Sequence, residues 1–189
     1  MSERADRFNR LYASDIDPWG FRSSEYECEK YEATLAALPR RHYELGIEAG
    51  CSIGELTRRL AARCDRLIGV DVSEVALAEA RRRNIDLPHV SFVRGEIPGD
   101  WPDIDADLII LSEVLYFLTP IEIDQLAAKI SKRWKASGNC VLVNYLEPIP
   151  EAVQGREAAE RFIATVTDVS HAANIPGNGY RIDILTRAG

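Results

Sequence analysis

Residues 44–71, ELGIEAGCSIGELTRRLAARCDRLIGVD, decide the fold. They read as strand, tight glycine turn, helix and second strand, and the second strand ends on an acid, Asp71. The turn is Glu48-Ala49-Gly50-Cys51-Ser52-Ile53-Gly54. Gly50 and Gly54 carry no Cβ, so the backbone can swing sharply there and approach a ligand closely. The helix that follows aims its free N–H groups at that ligand. An acid closing the second strand is where a mononucleotide-type fold holds ribose hydroxyls. The stretch therefore predicts a site for a nucleoside-containing ligand.

Composition sets the frame around it. The chain has 189 residues, 46% hydrophobic and 28% charged, which suits one soluble domain with a substantial core. No apolar run approaches the roughly 18 residues of a membrane span. The segment MSERADRFNR is charged with no apolar core behind it, so it does not read as a secretory signal. Cys28, Cys51, Cys64 and Cys140 are scattered without C-x-x-C spacing; they read as reduced packing thiols in a cytoplasmic protein, with no metal site. The net charge of −7 argues against nucleic acid as the main partner. A small molecule or an oligosaccharide is the expected partner, and no membrane.

Outward from the central stretch, strands and helices alternate. Residues 3–13 form a short amphipathic helix carrying Phe8, Leu11 and Tyr12. Pro18 and Gly20 mark a loop. Ser23 or Ser24 caps a helix to about Leu38 that lines up Tyr31, Leu35 and Leu38, and Pro39 stops it. These first 40 residues read as a helical lid, and residues 41–189 as the core. After Asp71, Ser73 caps a helix to about Asn84 whose Arg81-Arg82-Arg83 run reads as a solvated face. Val90 to Val93 is a third strand. Ala106 to Leu111 is a buried parallel strand. Pro120 opens a helix to about Trp134, and Gly138 breaks it before a strand from Cys140 to Tyr145. A helix over residues 155–163 precedes strand-like Thr165 to Ala172 and Tyr180 to Arg187, joined by a hairpin turn over 174–179. The expectation is an α/β, Rossmann-like, seven-stranded and mostly parallel sheet with an antiparallel C-terminal hairpin and helices on both faces.

Three readings compete for the glycine turn. Gly50-Cys51-Ser52-Ile53-Gly54 matches the G-x-S-x-G elbow of an α/β-hydrolase, with Ser52 as nucleophile and His171 as base. Only one core strand precedes it, however, and no HGGG-type segment is present. A dinucleotide fingerprint finds Gly50 but meets Ser52 and Glu55 at its other two glycine positions, and Glu55 would repel a pyrophosphate. In the third reading the turn resembles motif I of class I methyltransferases, E/D-x-G-x-G-x-G, with Glu48, Gly50, Ser52 and Gly54 in register. The cofactor implied is S-adenosyl-L-methionine, which has no pyrophosphate and carries a positive sulfonium. Two departures stand out: Ser52 replaces a glycine, and Glu96 replaces the commoner aspartate.

The flanking segments narrow the resemblance. Asp17-Pro18-Trp19, Tyr26-Glu27, Lys30-Tyr31 and Ser112-Glu113-Val114-Leu115-Tyr116-Phe117-Leu118 resemble the NodS-like (nodulation protein S) methyltransferases over about residues 15–165. Gln154 to Ala158 adds a weaker match, while Gly138-Asn139-Cys140 departs from the pattern. The resemblance implies an enzyme that N-methylates the free amine of an amino sugar or de-N-acetylated chitooligosaccharide. A methyltransferase acting on another small amine or hydroxyl, or a non-catalytic nucleoside-binding protein, is the alternative. It implies a cofactor site of Glu48, Gly50, Cys51, Ser52 and Gly54 in the turn, Asp71 and Val72 at the ribose, Glu96 and Ile97 at the adenine, and Ser112 at the fourth strand. Trp19 enters as a lid over the donor, a sugar platform or a core anchor. Arg22 enters as a partner of the cofactor carboxylate or as a surface ion pair. Glu113 is the catalytic candidate for the substrate ammonium and its proton, with Tyr116 beside it.

Overall fold

A computed structural model of the chain describes residues 2–151 and 153–189. Helices α1 (Glu3–Ser14) and α2 (Glu25–Ala37) precede the sheet. Strand β1 (Tyr43–Ala49), helix α3 (Glu55–Leu60), strand β2 (Cys64–Asp71), helix α4 (Glu74–Arg83) and strand β3 (Val90–Arg94) make the first half. Strand β4 (Ala106–Ser112), helix α5 (Pro120–Arg133), strand β5 (Trp134–Tyr145), helix α6 (Gly155–Thr165) and strands β6 (Val169–Pro176) and β7 (Tyr180–Arg187) make the second. The seven strands lie in the order β3-β2-β1-β4-β5-β7-β6. β7 runs antiparallel to both β5 and β6; the other pairs are parallel.

The strands are apolar because both faces of the sheet are covered. On β4, Ile109 and Leu111 point to a cluster with α5 and α6 (Leu126, Ile130, Phe162), while Leu108 and Ile110 point to α2 and α3 (Tyr31, Leu56, Leu60). A smaller cluster joins α1 to the rest through Phe8, Tyr12, Ile53 and Ala76. Helix starts follow the expected chemistry. Ser24 and Ser73 accept from the N–H groups of Glu27 and Ala76. Thr119 and Glu122 close a capping box with Pro120 in the first turn of α5. The arginine run on α4 is paired with carboxylates: Arg81 with Glu74, Arg82 with Glu79 and Arg83 with Glu55.

Two expectations about the second half shift. β5 starts at Trp134, which pairs with Ala106, and the register then jumps to Leu108↔Asn139. Gly138 belongs to this irregularity, beside Ser137 at φ +58°, so it interrupts a strand already begun. Thr165 ends α6, whose C-cap Val166 is buried with Phe162. β6 is thereby displaced toward the C-terminus and pairs as far as Pro176↔Arg181, which shortens the hairpin turn to residues 177–179.

Among the described residues, no helix is long and apolar enough to cross a membrane.

Candidate functional site

A reversal of strand order places a crevice at the carboxyl ends of the parallel strands. β1 and its neighbours β2 and β4 deliver the glycine turn, Asp71 and Ser112 to one cavity, and α1 and α2 wall it from above. It holds about 1090 Å³ of empty space, open solvent at the mouth included. Of the residues expected at the site, Trp19, Glu48, Gly50, Cys51, Ser52, Asp71, Val72, Glu96, Ile97, Ser112, Glu113 and Tyr116 all line it.

The turn end is built from backbone. The N–H groups of Gly50 and Cys51 donate to the Val70 carbonyl at 2.8 and 3.1 Å, which folds the turn back over β2. Gly50 sits at φ +73°, and a Cβ there would stand 3.1 Å from the Val114 side chain. Ser52 also adopts a left-handed conformation, φ +50°, where a serine is strained and glycine is not. Its hydroxyl lies 2.5 Å from that of Tyr12, which ties α1 to the turn. The Ser52 and Ser73 N–H groups donate to the two oxygens of Asp71, each at 2.8 Å. Burial raises the Asp71 carboxyl above its usual range, and these backbone donors oppose that rise. Glu48, 2% exposed, has one oxygen without a hydrogen-bond partner, and burial pushes its carboxyl up to about 8. Burial likewise raises the Cys51 thiol, which leaves it a neutral packing group.

The other end is built from side chains. Glu113 sits at φ +56°, a strained conformation for a glutamate, and its N–H is held by the Val143 carbonyl at 2.8 Å. The Tyr116 hydroxyl donates to one Glu113 oxygen at 2.5 Å. Lys30, 2% exposed, donates to Glu27 at 2.8 Å and stands 3.4 Å from the other Glu113 oxygen. Burial raises the Glu113 carboxyl, while the Lys30 charge and the Tyr116 hydroxyl pull it back down. Glu27 and Lys30 were not singled out as site residues from sequence, although a signal existed. Glu27, Tyr31 and Thr34 fall on one stripe of α2 and are all buried, so an acid sits on the inward face of the helix.

Several expected residues sit differently. Arg22 does not line the cavity; its guanidinium binds Asp17 at 2.9 Å with nearly half its side chain exposed, which is the surface ion pair. Gly54 does not line it either. A Cβ there would lie 2.6 Å from the Asn84 amide, so this glycine serves the packing of α3 against α4. Trp19 is 43% exposed and packs at the cavity mouth edge-on to Tyr12 and tilted against Phe21, ring centroids 5.7 and 5.5 Å away; it is not a core anchor. Glu96 is engaged by Arg4 of α1 at 3.0 Å, a partner that sequence reasoning did not identify. The hydrolase reading of Ser52 fails on geometry. His171 binds Asp183 at the β6–β7 hairpin, His42 binds Asp65, and His89 contacts the Ala61 carbonyl, so Ser52 has no histidine beside it.

The family model for nodulation protein S (NodS) matches residues 3–148. The chain belongs to the NodS family. Nodulation protein S of Rhizobium tropici is 33% identical over 114 residues, 60% of this chain and 48% of that protein. The protein of the same name from Bradyrhizobium diazoefficiens is 35% identical over 107 residues, 56% and 51% of the two chains. This chain thus spans about half the length of the curated relatives it matches. The solved structure of N-methyltransferase NodS from Bradyrhizobium japonicum WM9, in complex with S-adenosyl-L-homocysteine, superposes with a TM-score of 0.81 at 19% identity over 99% of this NodS-family chain and 100% of that one. The fold is that of the class I methyltransferases.

Proposed function

We propose that this chain is an S-adenosyl-L-methionine-dependent methyltransferase that N-methylates a small molecule or oligosaccharide bearing a free amine, an amino sugar or a de-N-acetylated chitooligosaccharide. One observation carries the reading: a single cavity has a glycine turn and a buried aspartate at one end and a partly buried carboxylate–tyrosine pair at the other. The residues present fit the cofactor. The Gly50 cradle would be narrowed by any Cβ, Asp71 keeps lone pairs for ribose hydroxyls after its two backbone bonds, and Glu48 offers a buried oxygen without a partner. When bound, S-adenosyl-L-methionine supplies a methyl group already activated on a positive sulfur.

In this reading Gly50, Cys51 and Ser52 shape the floor under the cofactor, Asp71 and Val72 hold the ribose, and Glu96 and Ile97 meet the adenine. Ser112 lies at the junction between the two ends. Helices α1 and α2 act as a lid, with Trp19 at its edge. Glu113 receives the acceptor's ammonium and takes one proton from it, and the nitrogen lone pair is thereby freed for attack. Tyr116 fixes the Glu113 carboxylate through its short hydrogen bond. Most of the rate then comes from orientation and from exclusion of water as α1 and α2 cover the bound reactants. The four cysteines are all free, which fits a cytoplasmic setting.

Transfer of tritiated methyl groups tests the proposal, with glucosamine oligomers and simple amines as acceptors. Label in the amine fraction that disappears in Glu113→Gln supports it. Absence of transfer to every amine, with the cofactor bound, removes the N-methylation reading.

A further inference from the structure

The acceptor end holds more charge than methyl transfer to an amine obviously needs. Glu27, Lys30 and Glu113 all line the cavity, and all three are largely shielded from water. Two acids and one base leave one net negative charge in a region where isolated charge is costly. The hydrogen bonding is also incomplete. One oxygen of Glu27, one oxygen of Glu113 and the Tyr26 hydroxyl are buried without a hydrogen-bond partner. The Glu113 oxygen has Lys30 at 3.4 Å without a formed hydrogen bond. A lysine placed this way, with its ammonium also 5.0 Å from the Tyr26 ring centroid, is a fixed counter-ion.

We propose that Lys30 is a positioning residue for the acceptor: bracketed by Glu27 and Glu113, it keeps Glu113 ionised and leaves the trio one negative charge to receive a substrate ammonium. The inference rests on the methyl-transfer reading for its chemistry. Glu113 is faced from α2 by Lys30, Glu27 and Tyr26, and from the turn after β4 by Tyr116. Tyr145 of β5 and Tyr180 of β7 stand behind Tyr26, ring centroids 6.5 and 5.8 Å away. Lys30 is the one cation in this set. Without it, Glu113 would face the Glu27 carboxylate in a buried site with no positive charge to offset either, and its proton would be held to higher pH. A protonated Glu113 neither attracts an ammonium nor accepts its proton. Losing Lys30 therefore slows, below the raised Glu113 midpoint, the first step, in which the acceptor N–H bond breaks, the proton moves to the Glu113 oxygen and the electron pair stays on nitrogen.

The test uses the whole chain with ¹³C-labelled glutamate carboxyls, the Glu113 resonance being assigned by its absence in Glu113→Gln. In Lys30→Met the Glu113 midpoint rises by about one pH unit or more, and Lys30→Arg restores most of it. In parallel, kcat/KM for a de-N-acetylated glucosamine oligomer falls in Lys30→Met at pH values below the Glu113 midpoint, about tenfold for each pH unit by which that midpoint rises, and recovers as pH is raised above it, because one pH unit is one decade of ionised carboxylate. An unmoved Glu113 midpoint overturns the proposal, as does a loss of activity that is uniform across pH. If Lys30→Met fails to bind S-adenosylhomocysteine or to fold, Lys30→Gln carries the same two readouts. Failure of the methyl-transfer reading is distinguishable: the wild type then labels no amine, while the Glu113 midpoint still responds to Lys30.

Discussion

The two ends of the cavity are made in different ways. At the turn end, backbone conformation and backbone N–H groups do the holding: Gly50 at φ +73°, Ser52 and Ser73 donating to Asp71, Val70 accepting from the turn. At the acceptor end, side chains from separate elements meet: Glu27 and Lys30 from α2, Glu113 and Tyr116 from the segment after β4. Backbone sites are fixed by the fold and tolerate few changes of conformation. Side-chain sites are set by packing and charge, and one substitution can rewrite them.

Substitutions at the two ends should separate accordingly. The largest effect is expected at Glu113→Gln, which lowers methyl transfer by about 10²–10³-fold, the scale of a lost general base, while S-adenosylhomocysteine affinity stays within a few-fold of wild type. Calorimetry and the transfer assay together check this; equal losses in both would merge the two ends. Asp71→Ala does the opposite. It strips the charged acceptor from two backbone donors and from the ribose, and cofactor affinity drops by about 3 kcal/mol, or roughly a hundredfold.

Next in size is a pH effect at the turn end. The folded protein holds the Glu48 proton to about 8 against an ordinary 4.5. The native state thus binds this proton more tightly than the unfolded chain does. The stability that neutral Glu48 contributes is complete below the ordinary value and is lost as pH rises toward about 8. Urea unfolding followed across that window should show stability declining as pH rises, and Glu48→Gln should flatten the decline.

Gly50→Ala tests the cradle itself. A left-handed alanine costs about 1–2 kcal/mol, and the contact with Val114 adds to it, so melting temperature and cofactor affinity fall together. The smallest effect distinguishes Ser52 from its neighbours. Tyr12→Phe removes the hydroxyl pair and costs about 1 kcal/mol. Ser52→Gly loses the same bond but relieves φ +50°, so its stability stays within about 1 kcal/mol of wild type. Chemical denaturation of the two variants reads the difference directly.

The same contrast explains what the sequence revealed. The turn end was legible because glycine spacing and a strand-ending acid report backbone geometry, and Gly50, Ser52 and Asp71 meet as their order along the chain implies. The sheet was legible for the same reason: each strand–helix alternation admits few topologies. The acceptor end was only half legible. Glu113 and Tyr116 are three residues apart in one segment. Glu27 and Lys30 are some eighty residues earlier; the stripe on α2 marks Glu27 as inward-facing, but its meeting with Glu113 depends on how α2 lies across the sheet. Arg22 shows the converse: a cation near a predicted site pairs with a local carboxylate, Asp17, five residues away. The early start of β5 and the late start of β6 escaped notice because a bulge and a longer helix depend on pairing and packing with distant elements.

Titration calorimetry of the wild-type chain with S-adenosylhomocysteine tests the central claim most directly. Saturable binding at one site per chain is the expected result. A chain that is folded by circular dichroism and gives no binding heat at any temperature tried would contradict it, since the glycine turn, Asp71 and the cavity they form would then have no cofactor to hold.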